Sequence, residues 1–439
     1  MDGHSWQRRY FTHGLVGLLS VGLGLSFHPS QAAGRPVDPI QQVENTWRDR
    51  YEKYLKLRFE GQTQASPQVA TTLWKRGLVA QQQPAVLYLQ PKPEGLTLYL
   101  VLPNGVPIQR QVPEANPAAL ETEVRQLMLA IRDPRQRSQD SYLPAAQTLH
   151  RWLIAPIEAE LEAAGIRDLI VCPGEGLRTL PYSVLHDGQQ FLIERYSVTR
   201  MPAFSLTNTR YDGVRQGRIL AMGASQFRDQ TPLPAVPVEL KTIVGQLWPG
   251  RVFLNRDFTI ANLTQQRLRQ PYEIVHLATH ADFNKGVPQD SYIQFWDRRL
   301  TLDQLGQIPW RNPPLELLVL SACNTAVGDK DAELGFAGMA AQAGVKTVLA
   351  SLWYVSDEGT LALMTEFYRD LKATPVKAEA LRRAQLALLR GEVQLTDGQL
   401  VRAGRRGGIP LPPELANAGG RSLAHPYYWA AFTLIGSPW

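Results

Sequence analysis

Hydrophobic and polar positions repeat with two different periods along the chain. Residues 40–61 carry apolar side chains at three- and four-residue spacing, which predicts one helix that stops at Gly61. Two apolar runs, 86–90 and 96–102, predict strands joined by a turn around residues 92–95. Two further helices are predicted at 118–132 and 145–164.

From residue 168 onward, short apolar runs alternate with amphipathic segments. The apolar runs predict strands at 168–172, 218–222, 273–279, 315–321 and 346–352. The amphipathic segments predict helices at 238–247, 260–269, 333–343, 360–371 and 377–390. This alternation predicts an α/β fold, in which a mostly parallel sheet is covered by helices on both faces. The Gly/Pro-rich residues 396–420 predict a surface loop before a final strand, and 418–420 lack the strand and helix that flank a phosphate-binding loop.

Composition narrows the class of protein. A chain of 439 residues with 44% hydrophobic content predicts two or three domains with a real core. The net charge of +6 is spread along the sequence without a basic cluster, which argues against a nucleic-acid partner. Two cysteines far apart in sequence make neither a disulfide framework nor a four-cysteine zinc site.

The N-terminus has the pattern of an export signal. Arg8 and Arg9 precede an uncharged run at 14–27, which as a helix spans about 21 Å and is too short to cross a bilayer. Small residues follow at Ser30 and Ala32, so we predict a signal peptide over 1–32, cleaved after Ala32, and an exported protein with no membrane span after cleavage. Residues 7–12 also resemble the twin-arginine export motif. A buried helix or an uncleaved anchor is the alternative.

Two predicted strands end in side chains that carry chemistry. One strand stops at His280 and another at Cys323, and the 42 residues between them have room for a crossover helix at 301–305 and a small hairpin. In a parallel sheet, function collects beyond the carboxyl ends of the strands. If the two strands are neighbours, the imidazole can accept the thiol proton, activate the nucleophile and later protonate a leaving amine.

Several strings of the sequence resemble the caspase-like cysteine peptidases, and within them the CHAT family. The likeness covers about residues 72–439 and is carried, in order, by VCPGEGLRTLPYSVLHDG (171–188), FLIERYSV (191–198), HLATH (276–280), VLSACNTAVGD (319–329), AGVKTVLASLWYVSDEG (343–359), EFYRDL (366–371) and HPYYWAAFTLIGSPW (425–439). The resemblance implies a caspase-like fold with no cofactor and no metal. It also implies the following organisation: an N-terminal helical segment over 33–71, an inactive pseudo-caspase part over 72–215 and a catalytic part over 216–439.

The resemblance also assigns roles at the two strand ends. His280 is implied as the general base and Cys323 as the nucleophile, with the backbone N–H groups of Cys323 and Ala281 forming the oxyanion hole. Relatives usually carry glycine where this chain has Ala281, which costs about 1 kcal/mol or more if φ is positive there and almost nothing otherwise. Ser321 is implied to line the primary substrate pocket, and because it is neutral it favours a neutral or apolar residue before the cleaved bond. Asp282 is the nearest acid in sequence that could change this preference.

Other interpretations of the same residues stay open. Cys323 alone is typical of a small buried hydrophobe, and Cys172 is expected to pack in the core, although a disulfide between the two is an alternative in an oxidising compartment. His276 lies about 13 Å from His280 along the same strand, too far to share a metal, and is expected to be structural. Asp357 either caps the helix that follows it or shapes the substrate cleft, and we favour the cap.

The function predicted from these features is an exported CHAT-type cysteine endopeptidase acting on a peptide or protein substrate. The alternative is a non-catalytic interaction module that binds partners through the same cleft, and a third possibility is a cell-envelope assembly factor. Members of the family are often joined to tetratricopeptide repeats, and no repeat period of 20–50 residues is seen in this chain. A separate activating or repeat-containing protein is therefore an expected partner.

Overall fold

An eleven-stranded mixed sheet runs through the residues that the computed structural model describes, namely 37–103, 105–210, 213–214, 217–321, 324–325, 329–374, 376–416 and 422–439. The strands in chain order are β1 (Pro84–Lys92), β2 (Gly95–Val101), β3 (Ile108–Val112), β4 (Asp168–Pro173), β5 (Ser197–Arg200), β6 (Ile219–Gly223), β7 (Gly250–Leu254), β8 (Ile274–Ala278), β9 (Ala281–Phe283), β10 (Tyr292–Gln294), β11 (Arg299–Thr301), β12 (Leu317–Leu320), β13 (Asn324–Thr325), β14 (Thr347–Ser351), β15 (Val393–Thr396), β16 (Gln399–Arg402), β17 (Ile409–Pro410) and β18 (Phe432–Gly436). The large sheet has the order β3-β2-β1-β4-β5-β18-β14-β12-β8-β6-β7.

The large sheet consists of two parallel blocks that run in opposite directions. Strands β1, β4, β5 and β18 are parallel to one another, as are β14, β12, β8, β6 and β7. The blocks meet where β18 pairs antiparallel with β14, and β2 and β3 extend one edge as an antiparallel meander. The predicted α/β class with a mostly parallel sheet is confirmed. The inner strands β4, β6, β8, β12 and β14 are buried along their whole length, as expected when helices flank a sheet, whereas the edge strand β7 is partly exposed.

Helices connect and flank these strands. They are α1 (Pro39–Leu55), α2 (Ser66–Ala80), α3 (Pro117–Arg132), α4 (Leu143–Leu153), α5 (Glu158–Ala163), α6 (Leu192–Arg195), α7 (Val236–Thr242), α8 (Ile260–Arg269), α9 (Lys330–Ala343), α10 (Asp357–Ala373), α11 (Lys377–Leu389), α12 (Pro413–Ala416) and α13 (Pro426–Trp429). Short 3₁₀ turns lie between them, including 302–307, close to the predicted crossover helix. None of the helices in the described part of the chain is both long and apolar enough to cross a bilayer.

The structure corrects several predicted boundaries. The first helix ends at Leu55 rather than Gly61, because Lys56 adopts a left-handed conformation and its N–H closes the helix on Glu52. The helix predicted over 145–164 is broken near Pro156, which has no N–H to continue the helical hydrogen bonds. Helix α2 and the strands β3, β5 and β7 of the large sheet were not predicted.

Strands also form directly after β8 and within the segment predicted as a surface loop. Residues 281–283 form β9, which joins β11, β10 and β13 in a four-stranded sheet beside the ends of β8 and β12. The stretch 396–420 includes parts of the three-stranded sheet β15-β16-β17 and helix α12. The Gly-rich residues 418–420 and the predicted signal peptide at 1–32 lie outside the described residues.

Candidate functional site

Strands β8 and β12 are parallel neighbours, as the sequence required for a shared site. Leu317 pairs with Ile274 and Leu320 with Leu277, and the Ser321 N–H continues the ladder by donating to the Leu277 carbonyl at 3.0 Å. Beyond this point one chain continues to His280 and the other toward Cys323. Cys323 itself lies outside the described residues, so the predicted distance between its sulfur and the His280 imidazole stays a prediction.

The small sheet brings the two chains together again just past the strand ends. In the parallel pair formed by β9 and β13, Asn324 is opposite Asp282 and Thr325 is opposite Phe283. Asn324 follows Cys323 directly in sequence, and Asp282 follows His280 by two residues. The backbone on the C-terminal side of both predicted catalytic residues is therefore paired.

His280 is held by three contacts from outside its own strand. Its Nε2 lies 2.8 Å from the backbone carbonyl oxygen of Thr231, while its ring packs against Phe227 and stacks on Tyr354, with ring centroids 4.6 and 5.8 Å away. A carbonyl oxygen only accepts hydrogen bonds, so Nε2 carries the proton. In the neutral imidazole, Nδ1 is then the acceptor, and it has no hydrogen-bond partner among the described residues.

Burial lowers the pKa of His280 from its ordinary value of 6.5. Two weaker effects oppose this: the Thr231 carbonyl and the Asp282 carboxylate both favour the protonated form. Because burial is the largest of the three effects, the imidazole is neutral near pH 7. A neutral imidazole with a free Nδ1 can accept a proton from a thiol.

Ala281 begins β9, where it pairs with Ile293 and is buried. Among the described residues, the non-glycine positions with positive φ are Lys56, Gln81, Asn255 and Asp397, and Ala281 is not one of them. The steric cost that alanine would meet at a positive φ therefore does not arise. The use of its N–H in an oxyanion hole stays a prediction.

Ser321 lies at the end of a buried polar network. Its Oγ donates to Oε1 of Glu239 on α7 at 2.6 Å, and His276 Nε2 lies 3.0 Å from the same oxygen. The other ring nitrogen of His276, Nδ1, is 3.0 Å from the Tyr368 hydroxyl. Ser321, Glu239 and His276 are each at most 2% exposed. The predicted structural role of His276 fits these contacts, and a carboxylate lies directly behind the predicted pocket residue.

Asp357 is not the helix cap that we favoured. The N-cap of α10 is Ser356, whose Oγ accepts from the Gly359 N–H, and Asp357 is the first residue of the helix proper. Its Oδ2 accepts from the Ala235 N–H at 3.1 Å, which ties α10 to the start of α7. Burial raises the pKa of Asp357 to about 7, and repulsion from Glu239 and Glu358 adds to this effect.

Asp282 is part of the small four-stranded sheet. It is half-buried in β9 opposite Tyr292 of β10, and its carboxylate contributes to raising the pKa of Tyr292 to about 12, after the larger effect of burial. Its predicted place in the substrate pocket is not tested by these contacts.

Cys172 is a free thiol, fully buried in β4, as predicted for a core residue. Burial raises its pKa well above the ordinary value, so it is a poor nucleophile. Within the described residues, no group of three His, Cys, Asp or Glu side chains is arranged to hold a metal ion.

Comparison with known proteins adds to this geometry. The sequence profile of the CHAT domain matches residues 143–437, more than half of the chain. The chain belongs to the CHAT family. No curated protein matches the chain significantly. Crystal structures of the Saccharomyces cerevisiae separase–securin complex, at 2.6 and 3.0 Å resolution, are among its structural neighbours, with 10% identity and TM-scores of 0.49 and 0.47. They cover 84% and 85% of this CHAT protein, which spans only 31% of the separase chain in each.

Sequence reasoning missed Thr231 and Glu239. Thr231 acts through its backbone carbonyl, so its side chain gives no signal. The sequence does contain a signal for Glu239, because this acid shares a face of α7 with the buried Val236, Leu240 and Ile243. An acid on the apolar face of a helix is rarely buried without a polar partner.

Proposed function

We propose that this CHAT protein is a cysteine endopeptidase with Cys323 as nucleophile and His280 as general base. The observation that carries the proposal is the hydrogen bond from His280 Nε2 to the Thr231 carbonyl, because it leaves Nδ1 as a proton acceptor at the end of β8. The neighbouring strand β12 leads to Cys323 only three residues beyond Leu320.

In the proposed reaction, His280 Nδ1 takes the Cys323 thiol proton and the thiolate attacks the carbonyl carbon of the substrate peptide bond. The tetrahedral oxyanion accepts hydrogen bonds from the N–H groups of Cys323 and Ala281. Its collapse breaks the C–N bond, and the imidazolium gives its proton to the leaving amine. Water, deprotonated by the same imidazole, then hydrolyses the thioester.

A thiol-directed activity probe tests this proposal, with wild type, Cys323→Ala and Cys172→Ala compared under native conditions. Labelling that persists in Cys172→Ala and is lost in Cys323→Ala supports a reactive nucleophile at 323. Equal labelling of both cysteines, or none with Cys323 reduced, contradicts it and favours a non-catalytic interaction module. Cys172 is the matched control because it is buried in the same fold.

We also propose that the protein is exported and begins at Ala33 after cleavage, as Arg8, Arg9 and the apolar run 14–27 indicate. N-terminal sequencing of secreted protein should start at Ala33, whereas an intact Met1 on cytoplasmic protein would reject export. Replacement of both arginines by lysine should stop transport only if the twin-arginine route is used. The substrate is then an exported or extracellular peptide or protein, and any activating protein acts in the same compartment.

A further inference from the structure

A cavity of about 460 Å³ lies away from the two strand ends, between α1, α3, the loop after β4 and the first turn of α9. Its apolar lining consists of the half-buried Pro91 and the exposed Pro117, backed by the buried side chains of Trp47, Leu120 and Val124. The volume is within the range of sites that hold small ligands or single peptide anchors. Nothing in the proposed peptidase mechanism uses this cavity.

The charged groups around the cavity are unequally neutralised. Glu175 lies between two cations, since Arg50 Nη1 is 2.7 Å from one carboxylate oxygen and Lys330 contacts the other. Arg125 lines the cavity from the exposed side of α3 and makes no hydrogen bond or ion pair with any residue that the structure describes. Glu121 lies one helical turn before Arg125, and its carboxylate favours the charged form of Lys330.

The acid at the inner end of the cavity is already compensated. Glu333 is 1% exposed and accepts hydrogen bonds from the Gly176 N–H at 2.9 Å and the Thr179 hydroxyl at 3.3 Å. Behind it, the buried guanidinium of Arg178 has its Nη1 3.8 Å from Glu333 Oε2. With Glu333 balanced by Arg178, the cations Arg50, Arg125 and Lys330 outnumber the carboxylates Glu121 and Glu175.

We propose that this cavity binds an apolar, preferably aromatic, group that carries a carboxylate. The apolar group would pack on Pro91 and Pro117 and on the accessible edges of the side chains behind them, and the carboxylate would pair with Arg125 and the cations beside it. Such a ligand is either the C-terminal residue of a peptide or a small aromatic acid. The bound carboxylate would also lie near Lys330, so binding should stabilise the first turn of α9, the helix that follows the segment containing Cys323.

Binding of three probes measures this directly: N-acetyl-L-phenylalanine, the amide of the same compound, and an N-acetylated tripeptide ending in Phe. The protein carries Cys323→Ser, so that no probe is turned over and the result is independent of the proposed peptidase activity. Isothermal titration calorimetry should show saturable binding of at least one of the two acids, and the amide should bind at least about tenfold more weakly. Tighter binding of the tripeptide identifies a peptide C-terminus as the source, and tighter binding of the amino acid identifies a small acid.

Two variants and one control localise the binding. Thr46→Trp places a large side chain at an exposed position that lines the cavity, and Arg125→Glu reverses the charge of the arginine on α3. Each variant should bind the acid at least about tenfold more weakly than the parent protein. Lys75→Glu reverses an exposed charge on α2 outside the cavity and should leave binding unchanged. Hydrogen exchange should slow over the first turn of α9 on binding. Equal affinity for acid and amide, wild-type binding by Thr46→Trp, or no saturable binding at about 10 mM overturns the proposal.

Discussion

The Oγ of Ser321 donates a hydrogen bond to Oε1 of Glu239 at 2.6 Å, although the two residues are 82 positions apart in the sequence. Glu239 contacts no Lys or Arg among the described residues, and its neighbours in the network, Ser321 and His276, are hydrogen-bonding side chains. A carboxylate therefore stands behind the position that lines the primary pocket in relatives. The expectation of a neutral pocket floor rests on Ser321 alone, and the nearby Glu239 supports the opposite prediction.

We accordingly predict that the proposed peptidase prefers Lys or Arg before the cleaved bond and that Glu239→Gln reduces this preference at least about tenfold relative to a neutral residue. Glutamine keeps an acceptor for Ser321 and removes only the charge. Cleavage of a peptide library by both proteins measures the preference. A neutral preference in wild type, unchanged in Glu239→Gln, would restore the expectation from Ser321. Asp282→Ala tests whether the acid nearest to His280 in sequence contributes to this preference. Ser321→Asp should strengthen the preference for a basic residue.

The pH dependence of cleavage should follow the neutral form of His280. Since burial lowers the pKa of this imidazole, we expect the acid limb of kcat/KM to have its midpoint below 6.5. His280→Ala should lower kcat/KM by about 10²–10⁴ without changing the fold, as circular dichroism can verify. Stability should also respond: the unfolded state binds the His280 proton more tightly, so the free energy of unfolding falls as the pH drops below about 6.5. A His280→Gln protein that shows the same fall contradicts this assignment.

The chain predicts those strands of the large sheet that are short apolar runs, and it misses β3, β5 and β7, whose polar or exposed residues interrupt the apolar pattern. It also places His280 at the end of β8, whereas the pairing of β8 with β12, which was a condition of the shared site, comes from the structure. The contacts that complete the site escape this reasoning for physical reasons. Thr231 contributes a backbone oxygen, and β9 is only three residues long, so neither leaves a periodic pattern.

The role of Asp357 also could not be predicted from the sequence. From the sequence we favoured Asp357 as the cap, but the preceding Ser356 also has a short side chain with an oxygen acceptor. In the structure Ser356 caps α10, while the Asp357 carboxylate accepts from the Ala235 N–H beside α7.

Asp357 makes the stability of the protein depend on pH in the opposite sense to His280. Its pKa is raised to about 7 in the folded state, so between about pH 4 and 7 the folded state binds the proton more tightly than the unfolded state. The free energy of unfolding should therefore fall as the pH rises through this range, by up to about 4 kcal/mol from this group, since each pKa unit corresponds to about 1.4 kcal/mol. In Asp357→Asn the amide oxygen still accepts from Ala235, and this part of the fall should disappear.

Urea unfolding of both proteins at pH 5 and pH 8 measures the difference. Burial also raises the pKa of Asp168 to about 7, but this residue is present in both proteins, so its effect cancels in the comparison. Parallel pH dependences for wild type and Asp357→Asn would show that the Asp357 carboxylate is not destabilised by its surroundings.

The last prediction concerns Ala281, where relatives usually carry glycine. Ala281 lies in β9 without a positive φ, and its methyl group is buried. Ala281→Gly should therefore lower the free energy of unfolding by about 1–2 kcal/mol, from added backbone freedom and a lost buried methyl group, and should not raise kcat/KM. Ala221→Gly in β6 removes a fully buried methyl group from another strand and serves as the matched control. The opposite result would be that Ala281→Gly gains activity at no cost in stability while Ala221→Gly is destabilised. The backbone at 281 would then have to leave its extended conformation for activity, and alanine would oppose that change.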